Sequence, residues 1–370
     1  MERPRREKFA LVLQGGGALG SYQAGAYQAL QQNALSFDWV AGVSIGAING
    51  ALICGNPPEL RVERLRRFWN QTSSNLLGRP LAEDETSRRL FNEASAAMTA
   101  AFGVPGFFAP RSPPLLPGWP GKPSELGLYD AGSLRETLNS LVDFDLLNAG
   151  AMRYSIGAVN IQTGNFQYFD TARHRIGPEH VMASAALPPG FSPVEIAGEY
   201  YWDGGIVSNT PLQYVLDLEE DGDDYCVFQL DLFSARGELP RTLLEAAQRE
   251  KDIRYSSRTR FNTDALCERR RLRAMIRKVC AKLPVELRDD ADWRALSETG
   301  GESATTIVHL IHRRAAYESA SRDYEFSRLT MEENWSDGRT DVEKTLNHPA
   351  WIHRRRPAGG VQVFDLTRVA

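Results

Sequence analysis

The feature that most constrains the fold is the pentapeptide Gly42-Val43-Ser44-Ile45-Gly46, which lies between two apolar segments. Residues 39–43 are apolar and partly β-branched, which predicts a strand, and the small apolar residues at 47–53 predict a helix packed on a sheet. A Gly-x-Ser-x-Gly turn between a strand and a helix holds its serine on a sharp, strained corner. We therefore interpret Ser44 as a nucleophile. The alternative is a glycine-rich turn whose serine caps the helix.

A second glycine-rich turn, at residues 14–20, follows an apolar strand predicted at residues 9–13 and leads into a predicted helix. Successive backbone N–H groups at the start of a helix can stabilise a phosphate or an oxyanion. The spacing Gly15-x-Gly17-x-x-Gly20 also fits the dinucleotide-binding fingerprint, in which Asp38 would be the acid that binds the ribose. Because Asp38 precedes a predicted strand instead of ending one, we favour the oxyanion interpretation.

A carboxylate lies at a third turn. Asp203 follows an aromatic, strand-like segment at residues 199–202 and precedes Gly204 and Gly205. At such a place a carboxylate can sit on a tight turn, close to another part of the backbone. Taken alone, the Asp-Gly-Gly tripeptide is also typical of a simple turn.

In this order along the chain, the motifs resemble those of the patatin-like phospholipases. The resemblance covers about residues 8–215 and includes the segment Ala185-Ala186-Leu187-Pro188-Pro189 and, after Asp203, the residues Asn209 and Pro211. It implies an α/β fold of three α/β/α layers. It also implies deacylation of glycerolipids by a Ser-Asp dyad that needs no catalytic histidine.

The same resemblance implies roles for individual residues. Ser44 becomes the nucleophile and Asp203 the base. The oxyanion hole is implied at the N–H groups of Gly15, Gly16, Gly17 and Ala18, and structural support at Gly20, Gly42, Gly46, Gly204 and Gly205. One departure is Leu19, because many members carry Arg or Lys at that position. The loss of this charge weakens the expectation of a strongly anionic head group.

The histidines support a dyad independently of the resemblance. None of the six lies on a glycine turn or a strand end that looks positioned for Ser44, and we interpret the nearest two, His174 and His180, as surface or helix-face residues. A carboxylate can act as the base when burial raises its pKa, and the alkoxide of an ester leaves more easily than an amine. The pattern therefore favours an ester hydrolase over a peptidase.

The 370 residues suffice for one large α/β domain with an extension. We predict a patatin-like catalytic domain at residues 1–235, with a strand at 225–233 as the last of its first layer, and a mostly helical extension at 236–370. Within the extension, residues 305–311 predict a strand that adds to the sheet edge. The extension resembles the C-terminal region of a bacterial patatin-like subgroup, a likeness that carries no mechanism.

Composition narrows the partners and cofactors. A formal net charge of −4 argues against a general nucleic-acid binder. The four cysteines and the six histidines lack metal-ligand spacing, so we expect neither a metal nor another cofactor. The charged N-terminus has no apolar signal-peptide core, and no run of about 18 apolar residues occurs. These features predict a cytoplasmic protein that makes peripheral contact with a membrane.

Residues 77–128 interleave prolines with aromatic side chains, which argues against a regular element there. We predict that Phe107, Phe108 and Trp119 in this stretch are exposed and dock on a lipid surface. One alternative is a surface excursion held down by its own hydrophobic side chains. Another is docking through the arginine-rich stretch at residues 269–278.

Together these patterns predict a serine acyl hydrolase, a phospholipase A or lipid esterase, that acts on lipid or other acyl esters. Two other classes stay open at this point. One is a non-catalytic protein of the same fold that binds a lipid or an acyl group. The other is a dinucleotide-dependent oxidoreductase built on the loop at residues 15–20.

Overall fold

The structure is a computed structural model, and it describes most of the chain. The described residues are 6–74, 78–80, 82–114, 118, 120–218, 223–256, 268, 272, 275–276, 278–280, 282–284, 286, 290–298, 304–313, 318, 321–357 and 360–367. Trp119 and most of the arginine-rich stretch lie outside these residues. Within the described ranges, no helix is both long enough and apolar enough to cross a bilayer.

A nine-stranded sheet organises the fold, and two short strands form a separate pair. The strands are β1 (Glu7–Leu13), β2 (Trp39–Gly42), β3 (Ala109–Pro110), β4 (Tyr129–Asp130), β5 (Arg153–Asn160), β6 (Phe166–Asp170), β7 (Val194–Ile196), β8 (Glu199–Asp203), β9 (Asp224–Asp231), β10 (Ala304–Ile311) and β11 (Gly360–Phe364). The main path follows the order β11-β10-β9-β1-β2-β5-β8-β7, with β6 paired to β5. All pairs from β11 to β5 are parallel, whereas β6 and β8 pair antiparallel with β5.

Helices cover both faces of this sheet. They are α1 (Gly20–Gln32), α2 (Ile45–Cys54), α3 (Pro58–Gln71), α4 (Glu85–Phe102), α5 (Gly132–Leu141), α6 (Phe144–Asn148), α7 (Pro178–Ser184), α8 (Leu212–Asp217), α9 (Leu243–Tyr255), α10 (Ala291–Glu298), α11 (Arg328–Asn347) and α12 (Pro349–Ile352). Short 3₁₀ turns occur at Gly17–Leu19, Pro123–Glu125, Gly204–Ile206 and Arg322–Tyr324.

Strand β1 packs side chains into the hydrophobic cores on both faces of the sheet. Its side chains alternate between the two faces of the sheet, as the two-residue period of a strand requires. Leu11 and Leu13 join the larger core with helices α1 and α2, while Ala10 and Val12 join the smaller core beneath α8. The sheet is therefore buried on both sides, which gives the predicted α/β/α layering.

The C-terminal part of the chain contributes strands as well as helices to this architecture. Strand β10 pairs in parallel with β9 and β11 pairs with β10, so the predicted strand at 305–311 extends the sheet. Both β10 and β11 lie beyond β9 in the sheet, so the strand predicted at 225–233 is followed by two more. On one face α11 packs along α1, where the missing side chain of Gly338 lets the helix approach the Tyr22 carbonyl.

The proline-rich region departs from the prediction in two ways. Residues 85–102 form the regular helix α4, since no proline lies between Pro80 and Pro105. Phe107 and Phe108 are only 7% and 8% exposed, so neither is available to dock on a lipid surface as predicted. Their rings pack into the larger core instead. Peripheral membrane contact itself stays a prediction.

The sheet topology brings two of the predicted residues together. Strand β2 pairs with the first half of β5, where Gly42 lies opposite Ile156. Strand β8 pairs with the second half, where Asp203 lies opposite Ala158. Because β6 occupies the other edge of β5 along both halves, β2 and β8 share one edge and end facing each other. The turn after β2 and the end of β8 therefore meet.

Candidate active site

Ser44 occupies the sharp corner between β2 and α2. Its backbone has φ 57° and ψ −126°, a region that a residue with a side chain rarely adopts. The corner forms because Gly46 has no side chain: a Cβ there would come within 2.3 Å of the Leu13 carbonyl oxygen. Gly42 is equally tight, against the Gly46 carbonyl. No side-chain cap is formed by Ser44, so the alternative of a helix-capping serine is wrong.

The strained Ser44 backbone is held by a residue that the sequence analysis missed. The Ser44 N–H donates to Ser184 Oγ at 3.0 Å, and the Ser184 hydroxyl donates to the Gly157 carbonyl at 2.7 Å. Ser184 is the last residue of α7 and is fully buried. No local pattern distinguishes it from the small residues around it. Its place directly before the Ala185-Ala186-Leu187-Pro188-Pro189 segment was the one available signal.

Asp203 ends β8 with its side chain beside Ser44. The Ser44 hydroxyl is hydrogen-bonded to the Asp203 carboxylate, and the Gly205 N–H donates to Asp203 Oδ1 at 2.7 Å. The side chain is 1% exposed. Burial raises the pKa of Asp203 from its usual 3.8 to about 7, because both hydrogen bonds offset only part of the lost hydration. The carboxylate can therefore take up a proton near neutral pH.

The glycine loop lies against the nucleophile. A Cβ on Gly15 would come within 2.9 Å of Ser44 Cβ, so only glycine fits there. The Gly15 N–H is not free, since it donates to the Asn209 carbonyl at 3.2 Å. Among the hydrogen bonds of the described residues, none uses the N–H groups of Gly16, Gly17 or Ala18. Of these three residues, Gly16 and Gly17 line the same cavity as Ser44.

Two amide side chains fix this loop. Asn209 Nδ2 donates to the Gly15 carbonyl at 3.0 Å and to the Tyr255 carbonyl at 2.9 Å. Gln14 Oε1 accepts the N–H groups of Leu232 and Phe233 at 2.6 and 2.8 Å. The loop is therefore tied to strand β9 and to helix α9, and its N–H groups are preorganised.

The supporting glycines also lie where close contacts exclude a side chain. A Cβ on Gly20 would meet the Ile45 side chain at 2.5 Å, and one on Gly204 would meet the Gly157 carbonyl at 2.6 Å. Gly205 faces the carboxylate of Asp203 and the side chain of Asn209. Leu19, which departs from the family pattern, is fully buried in the core and does not line the site.

Ser44 and Asp203 face an apolar cavity of about 370 Å³. Most of its wall is aromatic or backbone, and its residues are Gly15, Gly16, Gly17, Ser44, Ile45, Thr99, Ala100, Phe107, Phe108, Tyr129, Ala185, Leu187, Phe191, Asp203, Gly205, Asn209, Phe233, Tyr255, Asp323, Tyr324 and Phe326. The size is in the range of small-molecule sites. Since the wall offers few polar groups away from the dyad, the cavity suits a hydrocarbon chain better than a sugar or a nucleotide.

Other predicted candidates lie elsewhere. His174 Nδ1 accepts the Asp170 N–H at 3.3 Å and His180 Nδ1 accepts the Gly177 N–H at 3.0 Å, so both face the loop between β6 and α7. Asp38 accepts the Phe9 N–H at 2.8 Å at the amino end of β2. The glycine loop follows the opposite end of the parallel strand β1, about 20 Å away along the strand. The dinucleotide interpretation thus loses the acid it needs for the ribose.

Among the described residues, no three His, Cys, Asp or Glu side chains cluster closely enough to hold a metal ion.

Comparison with known families identifies this arrangement. A model of the patatin-like phospholipases matches residues 11–216, which is more than half of the chain. The chain belongs to the patatin-like phospholipase family. A second family model, described as a patatin phospholipase, matches residues 253–358. The glycine loop, Ser44 and Asp203 lie within the first patatin match, while Tyr255, Tyr324 and Phe326, which line the same cavity, lie within the second.

Individual relatives share shorter or more distant similarity with this patatin-like chain. The neuropathy target esterase sws of Drosophila persimilis and that of Drosophila grimshawi are each 43% identical over 63 residues, which is 17% of this chain and 4% of theirs. This chain therefore spans only a small part of the length of those relatives.

Among solved structures, VipD from Legionella pneumophila is 13% identical, with 90% of this chain and 68% of that chain covered, at a TM-score of 0.32. Human GIVD cytosolic phospholipase A2 is 14% identical, with 60% and 43% covered, at a TM-score of 0.35.

Proposed function

We propose that this protein is a serine acyl hydrolase that cleaves lipid or other long-chain acyl esters. The observation that carries the proposal is the hydrogen-bonded pair of Ser44 and the buried Asp203 at the wall of an apolar cavity. A phospholipase A or lipid esterase needs these three parts in one place: a nucleophile, a base with a pKa near the working pH, and room for a hydrocarbon chain.

In the first half of the proposed reaction, Asp203 accepts the proton of the Ser44 hydroxyl as Ser44 Oγ attacks the ester carbonyl carbon. The carbonyl oxygen becomes an oxyanion, which the N–H groups of Gly16, Gly17 and Ala18 stabilise. Donors of this kind contribute roughly 10²–10³-fold to turnover. The ester bond then breaks, and the departing alcohol takes the proton from Asp203. An acyl group remains on Ser44.

In the second half, the oxygen of a water molecule attacks the acyl carbon. Asp203 accepts the proton that this water loses. The oxyanion forms at the same three N–H groups. Ser44 Oγ leaves with the proton from Asp203, which releases the free acid and restores the dyad. One carboxylate thus serves both halves, so no histidine is required.

The first prediction concerns Ser44→Ala and Asp203→Asn, each tested as the purified full chain. Because both side chains act as one unit, each variant should lose at least about 10³-fold in kcat, and the double variant should be no slower than either single one. A fluorophosphonate probe should label the wild-type protein at Ser44 alone. Hydrolysis of an acyl ester panel, with mass spectrometry of the labelled protein, measures both.

His180→Ala serves as the control, because His180 is also largely buried but faces away from the dyad. It should keep near wild-type turnover. A wild-type protein that binds fatty acids yet neither labels nor turns over any ester would instead establish the non-catalytic binding protein. An Asp203→Asn variant within tenfold of wild type would eliminate the dyad.

A further inference from the structure

We propose that the C-terminal part of the chain selects the acyl chain, with Phe326 closing the inner end of the acyl-binding cavity and so limiting the chain length accepted. The inference rests on the proposed acyl hydrolase function and adds to it. It gives a role to the region matched by the second patatin model, which contains neither Ser44 nor Asp203.

Residues of the C-terminal part form one side of the cavity wall. Tyr255, Asp323, Tyr324 and Phe326 line the same cavity as Ser44. Tyr255 ends helix α9, and the other three lie in or just after the 3₁₀ turn Arg322–Tyr324. One side of the cavity is therefore built by residues that come more than two hundred positions after Ser44 and more than fifty positions after Asp203.

Phe326 contacts aromatic side chains of the part of the chain that contains Ser44 and Asp203. The Phe326 ring lies 6.0 Å from the Phe107 ring and 6.4 Å from the Phe108 ring, both edge-to-face. Phe191 completes the cluster, with its ring 5.3 Å from that of Phe108 and 6.4 Å from that of Phe107. Phe326 thus joins an aromatic cluster that lines the cavity.

The cavity wall changes from exposed to buried along the segment at residues 324–326. Tyr324 is 42% exposed, whereas Phe326, two residues later, is 4% exposed. The cavity wall therefore passes from solvent at Tyr324 to the protein interior at Phe326. An acyl chain that enters with its ester at Ser44 and its tail inward ends against the aromatic cluster.

Contacts on both sides of Tyr324 hold this part of the cavity wall in place. The carbonyl of Asp323 packs directly on Gly17, where a Cβ would come within 2.0 Å of it. Lys251 pairs with Asp323 at 2.5 Å, and the Phe326 carbonyl accepts the Ser74 N–H at 2.7 Å. Since the segment is held on both sides of Tyr324, the wall cannot simply move away from a longer chain.

Arg322 anchors the same turn from beneath. Its guanidinium is 4% exposed and pairs with Asp252 at 2.9 Å and with Glu318 at 3.0 Å. Asp252 lies in α9, the helix that also supplies Tyr255. One buried ion-pair network therefore holds both C-terminal contributions to the cavity in place.

Because the inner end of the cavity is fixed, we expect a measurable preference among acyl chains of different length. Each methylene group buried in an apolar cavity strengthens binding about fourfold, and a methylene that does not fit gains nothing. Removing the Phe326 ring opens space at the inner end, so longer chains gain contacts that shorter ones cannot reach. The ratio of kcat/KM for a long-chain ester to that for a short-chain ester should rise.

The experiment compares Phe326→Ala with the wild-type full chain on butyrate, octanoate and dodecanoate esters of one alcohol. We expect the dodecanoate-to-butyrate ratio of kcat/KM to rise about tenfold or more in the variant. Phe364→Ala is the matched control, because Phe364 is another buried phenylalanine of the C-terminal part and does not line the cavity. It should leave the ratio unchanged.

The outcomes separate the two proposals. If the wild-type protein hydrolyses none of the esters, the proposed function fails. If it hydrolyses them but Phe326→Ala leaves the ratio within twofold of wild type, or Phe364→Ala shifts it equally, the role of Phe326 is refuted. Should Phe326→Ala not fold, Phe326→Leu, which removes less volume, must show a smaller shift in the same direction or the proposal is equally refuted.

Discussion

At the residue scale, the site depends on burying a carboxyl group that water would leave ionised at neutral pH. Desolvation of Asp203 disfavours its charged form, and two hydrogen bonds recover only part of that free energy. A carboxylate with its usual pKa would be too weak a base to take the proton of a serine. The buried one is matched to the task.

The pH dependence of activity should report this pKa. Only the ionised carboxylate can accept the Ser44 proton, so kcat/KM should rise with pH by about tenfold per unit below neutrality and level off above about pH 7. A pH-stat assay with a soluble acyl ester measures the profile. A midpoint near the usual value of 3.8 would contradict the assignment of Asp203 as the base.

The stability of the fold offers a control that does not involve turnover. The pKa of Asp203 is higher in the folded chain than in the unfolded chain. The contribution of its protonated carboxyl group to the free energy of unfolding is therefore fully present below about pH 3.8 and is lost as pH rises through about 7. Asp203→Asn should therefore melt at a higher temperature than wild type above neutrality. The difference should disappear in acid, and a pH-independent difference would contradict the raised pKa.

At the element scale, the corner after β2 is stabilised from α7. The chain from Ser44 N–H to Ser184 Oγ to the Gly157 carbonyl joins the end of α7, strand β5 and the start of α2. Strand β5 also carries the pairing that positions Asp203. We therefore expect Ser184 to position Ser44 relative to Asp203 in the proposed dyad.

We expect Ser184→Ala to lower kcat about tenfold while KM stays nearly constant. The change removes the Ser184 hydroxyl from the part-buried Ser44 N–H and from the Gly157 carbonyl, at a cost of up to about 1–3 kcal/mol for each group left unpaired, and so loosens the corner. Steady-state kinetics and the rate of fluorophosphonate labelling measure the effect. The pH midpoint should not move, since Asp203 keeps its surroundings.

Ser155→Ala is the matched control, because Ser155 is an equally buried serine on β5 whose hydroxyl contacts Trp39 and Asp170 instead of the corner. It should reduce stability without slowing labelling. Equal losses of kcat in the two variants would show that Ser184 has only a structural role.

The sequence was informative where structure is local. The strand, turn and helix around Ser44 and the glycine loop each follow from the residues within them. The burial of Phe107 and Phe108 does not, because it depends on Phe191 and Phe326, which lie far away in the chain. Proline spacing shows that a stretch is irregular and does not show which way its side chains face.

The same distinction applies to the site. The motif residues could be named from the pattern, whereas the competition of the Asn209 carbonyl for the Gly15 N–H could not, since it arises from a contact between separate turns. Likewise, nothing within residues 322–326 indicates that they lie beside Gly17. Such contacts depend on where α9 packs and on the pairing of β10 with β9.

At the scale of the whole molecule, one sheet spans both regions that the family models match. Strand β9 pairs with β1 on one side, from Asp224 to Leu230, and with β10 on the other, from Tyr225 to Asp231. The chain segment between β9 and β10 carries α9, which supplies Tyr255. A division near residue 235 would therefore cut through a sheet and a cavity wall at once.

A chain ending at residue 235 tests this dependence. It would expose the edge of β9 and the face of α1 that α11 covers, and an unpaired hydrophobic edge favours aggregation. We expect the truncated chain to be insoluble, or to label with fluorophosphonate at least about tenfold more slowly than the full chain. Size-exclusion chromatography, circular dichroism and labelling measure this.

Supplying residues 236–370 as a separate chain during expression is the control, and it should restore part of the labelling. A truncated chain that is monomeric, folded and labelled at the wild-type rate would show that the catalytic part is an independent domain.

The order of the parts along the chain has a consequence for synthesis on the ribosome. Ser44, Asp203 and the glycine loop are all translated before residue 235, whereas Phe326 follows 91 residues later. At about 5–20 residues per second, the nascent chain spends roughly 5–20 s with Ser44 and Asp203 already made but its sheet edge unpaired and its cavity open. During that interval the vacant edge of β9 and the uncovered aromatic cluster are the surfaces that a ribosome-associated chaperone would meet.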